Sequence, residues 1–375
     1  MINTMIITGL IVEYNPFHLG HLHHIQEAKR ITQCDLLIAV MSGHYVQRGE
    51  PAIVDKWKRT QAALDAGVDM VIELPYIYCV QEASRFANAA IDILSKIGCT
   101  DLVFGSESND LSFLQSIADL PIQVDNLKET MKTGVSYPKA YNLIHGPFLP
   151  NDILGIAYLK ALSNRSIQAH TIQRTNAYHS IEMDLPMVSA SAIRKALIEG
   201  QSIQNQSPME AVLLTSFPNR LERYYPYLQL KLLTSPPDEL KEIFLMQEGL
   251  ENHLKDCALK HDDFDSFMQA AISKRYTRAR IQRTLIHLLT HTRQSDVSAL
   301  PPLHSLRLLG LNTQARQYLK SLEPETFKIA SRFNQVNERY RAMEYKATLT
   351  YASVLPLEEK NRLIQREIEG PILQK

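Results

Sequence analysis

Cysteine is scarce: the 375 residues hold only Cys34, Cys79, Cys99 and Cys257, and no two form a Cys-x-x-Cys pair. That usage excludes a disulfide framework and a zinc ribbon, and fits a reducing cytoplasm. An excess of charge of one sign is also missing, because 40 Lys and Arg balance 40 Asp and Glu. A chain that is basic or acidic as a whole is therefore excluded, although local fields can still select partners. Long apolar runs are missing too. Met5 to Val12 is too short to span a bilayer and lacks the basic stretch that precedes a cleaved export segment, so neither export nor a membrane span is expected. What remains is 45% hydrophobic and 21% charged, an ordinary globular composition with enough chain for two or three domains.

Short β-branched runs alternate with helix-length amphipathic stretches, which calls for an α/β fold with a parallel sheet. The expected strands are Met5 to Val12, Leu36 to Met41, Met70 to Leu74 and Leu102 to Phe104, and the helices His21 to Ile31, Asp55 to Ala66 and Cys79 to Ile97. In open sheets of this kind ligands bind beyond the carboxyl ends of the strands. His18 to His21, Ser42 to Glu50 and Gly105 to Glu107 all fall there.

The first of these clusters is the most specific. An apolar strand runs into Glu13-Tyr14-Asn15-Pro16-Phe17-His18-Leu19-Gly20-His21 and then a helical pattern. Gly20 clears space for phosphates, the helix start offers unpaired N–H groups, and His18 and His21 can donate to phosphate oxygens. Zinc is the lesser alternative, because ligand pairs on a helix usually stand at i, i+4 and these stand at i, i+3. Further on, Asn151 and Asp152 open a helix, a strand from Ile167 to Gln173 delivers Arg174, and Val188-Ser189-Ala190-Ser191-Ala192-Ile193-Arg194 begins a second phosphate-type helix.

The segment Ala271 to Arg293 carries Lys274, Arg275, Arg278, Arg280, Arg283 and Arg293 and no acid. On one helix this is either a polyanion patch, with Tyr276 free to stack on a base, or a solvated face whose acids lie on a neighbouring element. The loop Ser42 to Ala52 offers Gln47, Arg48 and Glu50 between two glycines that permit mobility. Lys56, Lys58 and Arg59 flank Trp57 on what reads as a solvated basic face, and Glu239 to Leu250 has helical period.

His-x-Gly-His after the first strand, paired with the hydroxyl-rich segment ending in Ile193-Arg194, resembles the nucleotidylyltransferase superfamily. Here Val188, Ala190 and Ser191 replace that segment's usual Ile, Ser and Thr, while hydroxyls survive at Ser189 and Ser191. The strings from Val12 to His18, Met41 to Gly43, Val46 to Ala52, Val71 to Pro75, Phe104 to Glu107, Pro150 to Leu154 and Lys274 to Arg278 narrow the resemblance to the bacterial tRNA(Met) cytidine acetate ligase family. The resemblance implies a Rossmann-like ATP-binding catalytic domain over residues 1–200 and a mainly α-helical, tRNA-binding region over 201–375. It implies acetate, ATP and elongator tRNA(Met) as substrates, acetyl-adenylate as intermediate and N4-acetylcytidine as product. It places ATP contacts at Ile11, Val12, Glu13, Tyr14, Asn15, Pro16, Phe17, His18, Leu19, Gly20, His21, Leu22, His23, His24, Gly105, Asn151, Arg174 and Thr175. His18, His21 and Arg194 would be catalytic, and Arg48, Lys274, Arg275, Arg278, Arg280 and Arg283 would meet tRNA. Mg2+ on the phosphates suits the chemistry, but no Asp cluster identifies a metal cradle. The alternative reading is a small-molecule adenylyltransferase acting on a phosphorylated metabolite; a non-catalytic RNA-binding scaffold would have no need for His18, Gly20, His21 and Arg194 together.

Overall fold

The computed structural model describes residues 5–120, 148–174, 188–322 and 327–375. Its centre is an eight-stranded sheet in the order β10 (Ile372–Leu373), β8 (Ser305–Leu311), β5 (Met70–Leu74), β2 (Leu36–Ser42), β1 (Ile7–Val12), β6 (Asp101–Ser106) and β7 (Gln168–Gln173), with β9 (Lys328–Ala330) beside β8. β1, β2, β5, β6 and β7 are mutually parallel. β2 and β5 are buried at every residue, which is why they read as unbroken apolar runs rather than alternating ones. Each expected strand forms within two residues of its predicted limits, and the first helix, α1, runs Leu19–Thr32. The chain steps from β1 to β2 and β5 on one side, then crosses to β6 on the other. That reversal opens a crevice beyond the carboxyl ends of β1 and β6, where the His18–His21 and Gly105–Glu107 clusters stand.

Beyond residue 200 helices dominate, but the chain crosses back. β8 (Ser305–Leu311) pairs antiparallel with β5, and β9 (Lys328–Ala330) and β10 (Ile372–Leu373) run parallel to β8. The carboxyl half thus completes the sheet of the amino half. A two-stranded hairpin, β3 (Tyr45–Val46) with β4 (Glu50–Pro51), stands where the sequence suggested a mobile loop.

Three expectations need correction. Lys56 and Arg59 are fully buried instead of solvated. Lys56 Nζ meets Glu73 at 2.5 Å and Glu367 at 2.9 Å, and Arg307 bridges the same two carboxylates at 3.0 and 2.5 Å. A buried lysine survives because its partners, from β5 and from the last helix (Leu357–Ile368), come from far along the chain. Glu239 to Leu250 is not one helix: Leu245, Glu248 and Gly249 take positive φ between short helical pieces. Ala271 to Arg293 is likewise broken, with a helix only over Arg278–Leu289.

Candidate active site

His18 is the N-cap of α1. Its Nδ1 accepts from the Gly20 N–H at 3.0 Å, while Nδ1 of His21 accepts from the His18 N–H at 3.3 Å. This is a reciprocal capping box built from imidazoles. A Cβ on Gly20 would stand 2.8 Å from His18 Cε1, so only glycine lets the ring fold back onto the amide. With Nδ1 accepting on both rings, each neutral imidazole carries its proton on Nε2 and keeps that N–H as a donor. The rings lie 3.9 Å apart between centroids. Burial, with help from Arg174 and Arg194, pushes His18 down to about 3, and burial followed by His18 holds His21 well below its ordinary value.

The rest of the motif supports this pair. Tyr14 and Phe17 are fully buried and pack against His21 at 4.9 and 5.7 Å. His24 turns to the sheet and donates from Nε2 to the Val103 carbonyl at 3.1 Å; burial takes its pKa to about 4. Ile11, Leu19, Leu22 and His23 are half-buried around the turn, and Val12, Asn15 and Pro16 are buried.

A second wall rises from β6 and the helix Pro150–Leu162. The Glu107 carboxylate accepts from the backbone N–H of Asn151 (3.2 Å) and Asp152 (2.9 Å) and from Asn151 Nδ2. In return Asp152 accepts from the Ser106 hydroxyl and the Glu107 and Ser108 amides. Neither Asn151 nor Asp152 caps the helix that they open; the Glu107 carboxylate takes its first amides instead. The fixed amide of Asn151 presents Oδ1 to Arg174 Nη1 at 3.3 Å, and the stem of Arg174 lies 3.2 Å from where a Gly105 Cβ would be. Glu107 escaped sequence reasoning because nothing in Phe-Gly-Ser-Glu says that its carboxylate serves a helix 44 positions on. Thr175 lies outside the described residues.

The third wall belongs to Arg194 and the hairpin. Ser189 caps the helix Ala190–Glu199 by accepting from the Ala192 N–H. Arg194 donates to the Asn15 carbonyl (2.7 Å) and Ser191 Oγ (3.2 Å), 4.0 Å from Glu50. Glu13 Oε1 accepts from Gln47 N–H at 2.7 Å; burial raises its pKa, against the pull of that bond and of Arg48 and Arg194. Beneath them Arg59 donates to the carbonyls of Glu13 (2.6 Å), Ser42 (3.1 Å) and Gly43, tying the ends of β1 and β2 together. Among the described residues no three His, Cys, Asp or Glu side chains are grouped to hold a metal ion.

The hairpin is pinned rather than mobile at Gly49. This residue has φ +80°, and a Cβ there would fall 2.3 Å from the Arg283 nitrogen, so the backbone of the helix Arg278–Leu289 packs on it. Gln282 donates to Glu50 at 3.1 Å, and Arg283, its pKa lowered to about 10 by burial, approaches the Gln47 carbonyl at 3.5 Å. The basic segment is therefore divided. Lys274, Arg275 and Arg278 are exposed, Arg275 and Arg280 share Glu248 at 3.7 and 3.4 Å, and Arg283 faces the hairpin. Tyr276 is buried, with its hydroxyl on the Glu248 carbonyl at 2.6 Å, and is not available to stack on a base.

Residues 5–367 match the model of the HIGH Nucleotidyl Transferase family. The chain is 37% identical over 396 residues to the tRNA(Met) cytidine acetate ligase of Oceanobacillus iheyensis, covering 97% of this chain and 99% of that one. Against the Bacillus subtilis enzyme of the same name it is 37% identical over 391 residues, with 94% and 93% covered. The crystal structure of Thermotoga maritima TmcAL superposes with a TM-score of 0.89 at 30% identity, and its form bound with alpha-thio ATP with 0.86, each covering 98% of this chain and 99% of the other.

Proposed function

From a chain that belongs to the HIGH nucleotidyl transferase family, and within it to the tRNA(Met) cytidine acetate ligases, we infer an enzyme that activates acetate with ATP and acetylates N4 of the wobble cytidine of elongator tRNA(Met). The observation that carries this reading is the pair of neutral imidazoles capping α1, each with Nε2–H left as a donor, between Arg174 and Arg194. In the first step an acetate oxygen attacks the α-phosphorus and pyrophosphate leaves. Acetate is already ionised at neutral pH, so no base is required; the demand is to hold two anions together and to offset charge growing on the phosphoryl oxygens. Nε2–H of His18 and His21, with Arg174 and Arg194, meet that demand; the first amides of α1 do not, since they are already bonded to Gln206 and His18. In the second step the cytosine amine attacks the acetyl carbonyl, AMP leaves, and the amine's proton is lost. An unpaired anticodon loop lets the base leave its stack at low cost, and Arg48 on the hairpin, whose charge acts on Glu13, is the residue assigned to the incoming base.

The test is incubation with ATP, radiolabelled acetate and elongator tRNA(Met) transcript, followed by digestion to nucleosides. Label at N4-acetylcytidine that requires ATP and vanishes in His21→Ala is expected. AMP transferred instead to an added phosphorylated metabolite, with unlabelled RNA, would overturn the reading in favour of a small-molecule adenylyltransferase.

A further inference from the structure

The segment Phe217 to Tyr225 is bonded to the catalytic turn. Ile53 N–H donates to Asn15 Oδ1 at 2.8 Å, and Asn219 N–H donates to the Ile53 carbonyl at 2.9 Å. The side chain of Asn219 then holds the Tyr224 hydroxyl at 2.8 Å and the Tyr351 carbonyl at 3.2 Å. Arg220 follows Asn219 directly, and so stands two hydrogen bonds from Asn15, whose own carbonyl anchors Arg194. Arg223 follows three residues later, with its guanidinium 4.0 Å over the ring of Phe217.

Several other arginines of the carboxyl half have carboxylate partners that these two lack. Arg275 and Arg280 share Glu248, Arg293 meets Glu242, and Arg307 meets Glu73 and Glu367. Arg220 and Arg223 are half-buried. The Nε of each, like that of Arg280 and Arg283, is sealed from solvent without a hydrogen-bond partner, but what sets the pair apart is that the two stand beside each other and, among the described residues, no carboxylate lies within ion-pair distance of either. They are close enough that burial and then Arg220 lower the pKa of Arg223, against the weaker pull of Glu222 and Tyr224. Two neighbouring half-buried guanidinium forks with no carboxylate between them, and with their terminal nitrogens left open among the described residues, suit an oxyanion.

We propose that Arg220, Arg223 and Phe217 form a phosphate clamp at the rim of the catalytic pocket that grips the backbone of the RNA whose base enters it. The identity of that RNA rests on the acetate-ligase reading. ATP phosphate is the other source of the same chemistry, but the triphosphate already has His18, His21, Arg174 and Arg194, whereas a strand delivering a base to this mouth must bring its phosphates past the rim.

The full-length protein separates the two sources. Binding of elongator tRNA(Met) transcript is measured across a salt series for wild type, R220Q/R223Q and R220K/R223K, beside acetate-dependent ATP–pyrophosphate exchange without RNA and a thermal melt. The glutamine pair is expected to bind about tenfold or more weakly, with the slope of log K against log salt reduced by about 0.7 for each single-strand phosphate that is no longer neutralised. The lysine pair should recover the slope but not the full affinity, because a point charge replaces a fork. Exchange and melting temperature should stay at the wild-type level. Unchanged affinity and slope in the glutamine pair overturn the clamp, and so does a matching loss of exchange, which would assign the arginines to ATP. A wild-type protein that binds the transcript through this pair yet activates no acetate would remove the ligase reading while leaving the clamp in place.

Discussion

Replacing Gly49 with alanine tests whether the hairpin is positioned by the helix Arg278–Leu289. Two costs follow from the structure. The backbone at φ +80° is unfavourable for a residue with a Cβ, at about 1–3 kcal/mol. The new methyl would also sit 2.3 Å from the Arg283 nitrogen and 2.5 Å from the Gln282 carbonyl carbon, neither of which is a flexible side chain, and overpacking of this kind costs about 1–3 kcal/mol. The sum, about 2–6 kcal/mol, is a large share of a total stability of about 5–15 kcal/mol. The cheaper response is for the hairpin to lift from the helix, giving up the Gln282–Glu50 bond and the Arg283 approach to Gln47. Lifting also draws the Gln47 amide away from Glu13 and Glu50 away from Arg194. Urea denaturation should therefore show a loss of a few kcal/mol or less, while acetyl transfer to tRNA falls by tenfold or more and pyrophosphate exchange falls less. An alanine variant within ~0.5 kcal/mol of wild type with unchanged transfer would refute the positioning role of the helix.

Three other outcomes follow from the same geometry. Glu107→Ala should raise KM for ATP several-fold with a smaller change in kcat, because Asn151 and through it Arg174 lose their support; Glu107→Gln, which keeps one acceptor, should recover part of the loss, and equal effects in both variants would count against positioning. Lys56→Met should cost about 3–5 kcal/mol in denaturant unfolding, because Glu73 and Glu367 are left to share Arg307 alone and one buried negative charge is uncompensated, where a solvated lysine would cost under about 0.5 kcal/mol. His18, His24 and His287 are held by burial at about 3, 4 and 3, below their unfolded value of about 6.5. The unfolded chain therefore binds the extra protons, and stability present above about pH 6.5 should fall as pH drops towards 3 to 4; a denaturation midpoint independent of pH across that window would contradict the burial of these rings.

How much was legible in the sequence divides along a physical line. The first four strands of the sheet in chain order, β1, β2, β5 and β6, were readable because each holds an apolar run punctuated by a turn, and the His18–His21 turn because strand, glycine and helix start adjoin in the chain. Arg174 and Arg194 could be placed at strand and helix ends for the same reason. What escaped depends on partners far apart. Lys56 looks like a surface lysine until Glu367, 311 positions later, arrives beside it. Ser305–Leu311 looks like any apolar stretch until it pairs with β5. Gly49 reads as a hinge by composition, and is the opposite because another backbone occupies the space its missing side chain leaves.

The same distant pairing joins the two sides of residue 200 in one sheet and one buried charge cluster. Glu73 on β5, Lys56 on the helix that precedes it, Arg307 on β8 and Glu367 on the last helix form one buried charge cluster. Gly43, at the foot of the hairpin, approaches it so closely that a Cβ would lie 2.9 Å from Glu73 Oε1. A buried cluster of this kind gains little stability over an apolar core, yet removal of one member is costly because the remaining charges stay buried. It therefore acts as a requirement for correct assembly: until β8 and the last helix are in place, Lys56 and Glu73 lack Arg307 and Glu367, and the hairpin beside the imidazoles lacks its floor. The residues proposed to bind nucleotide lie before position 200, but the ground on which they stand is completed only by the end of the chain.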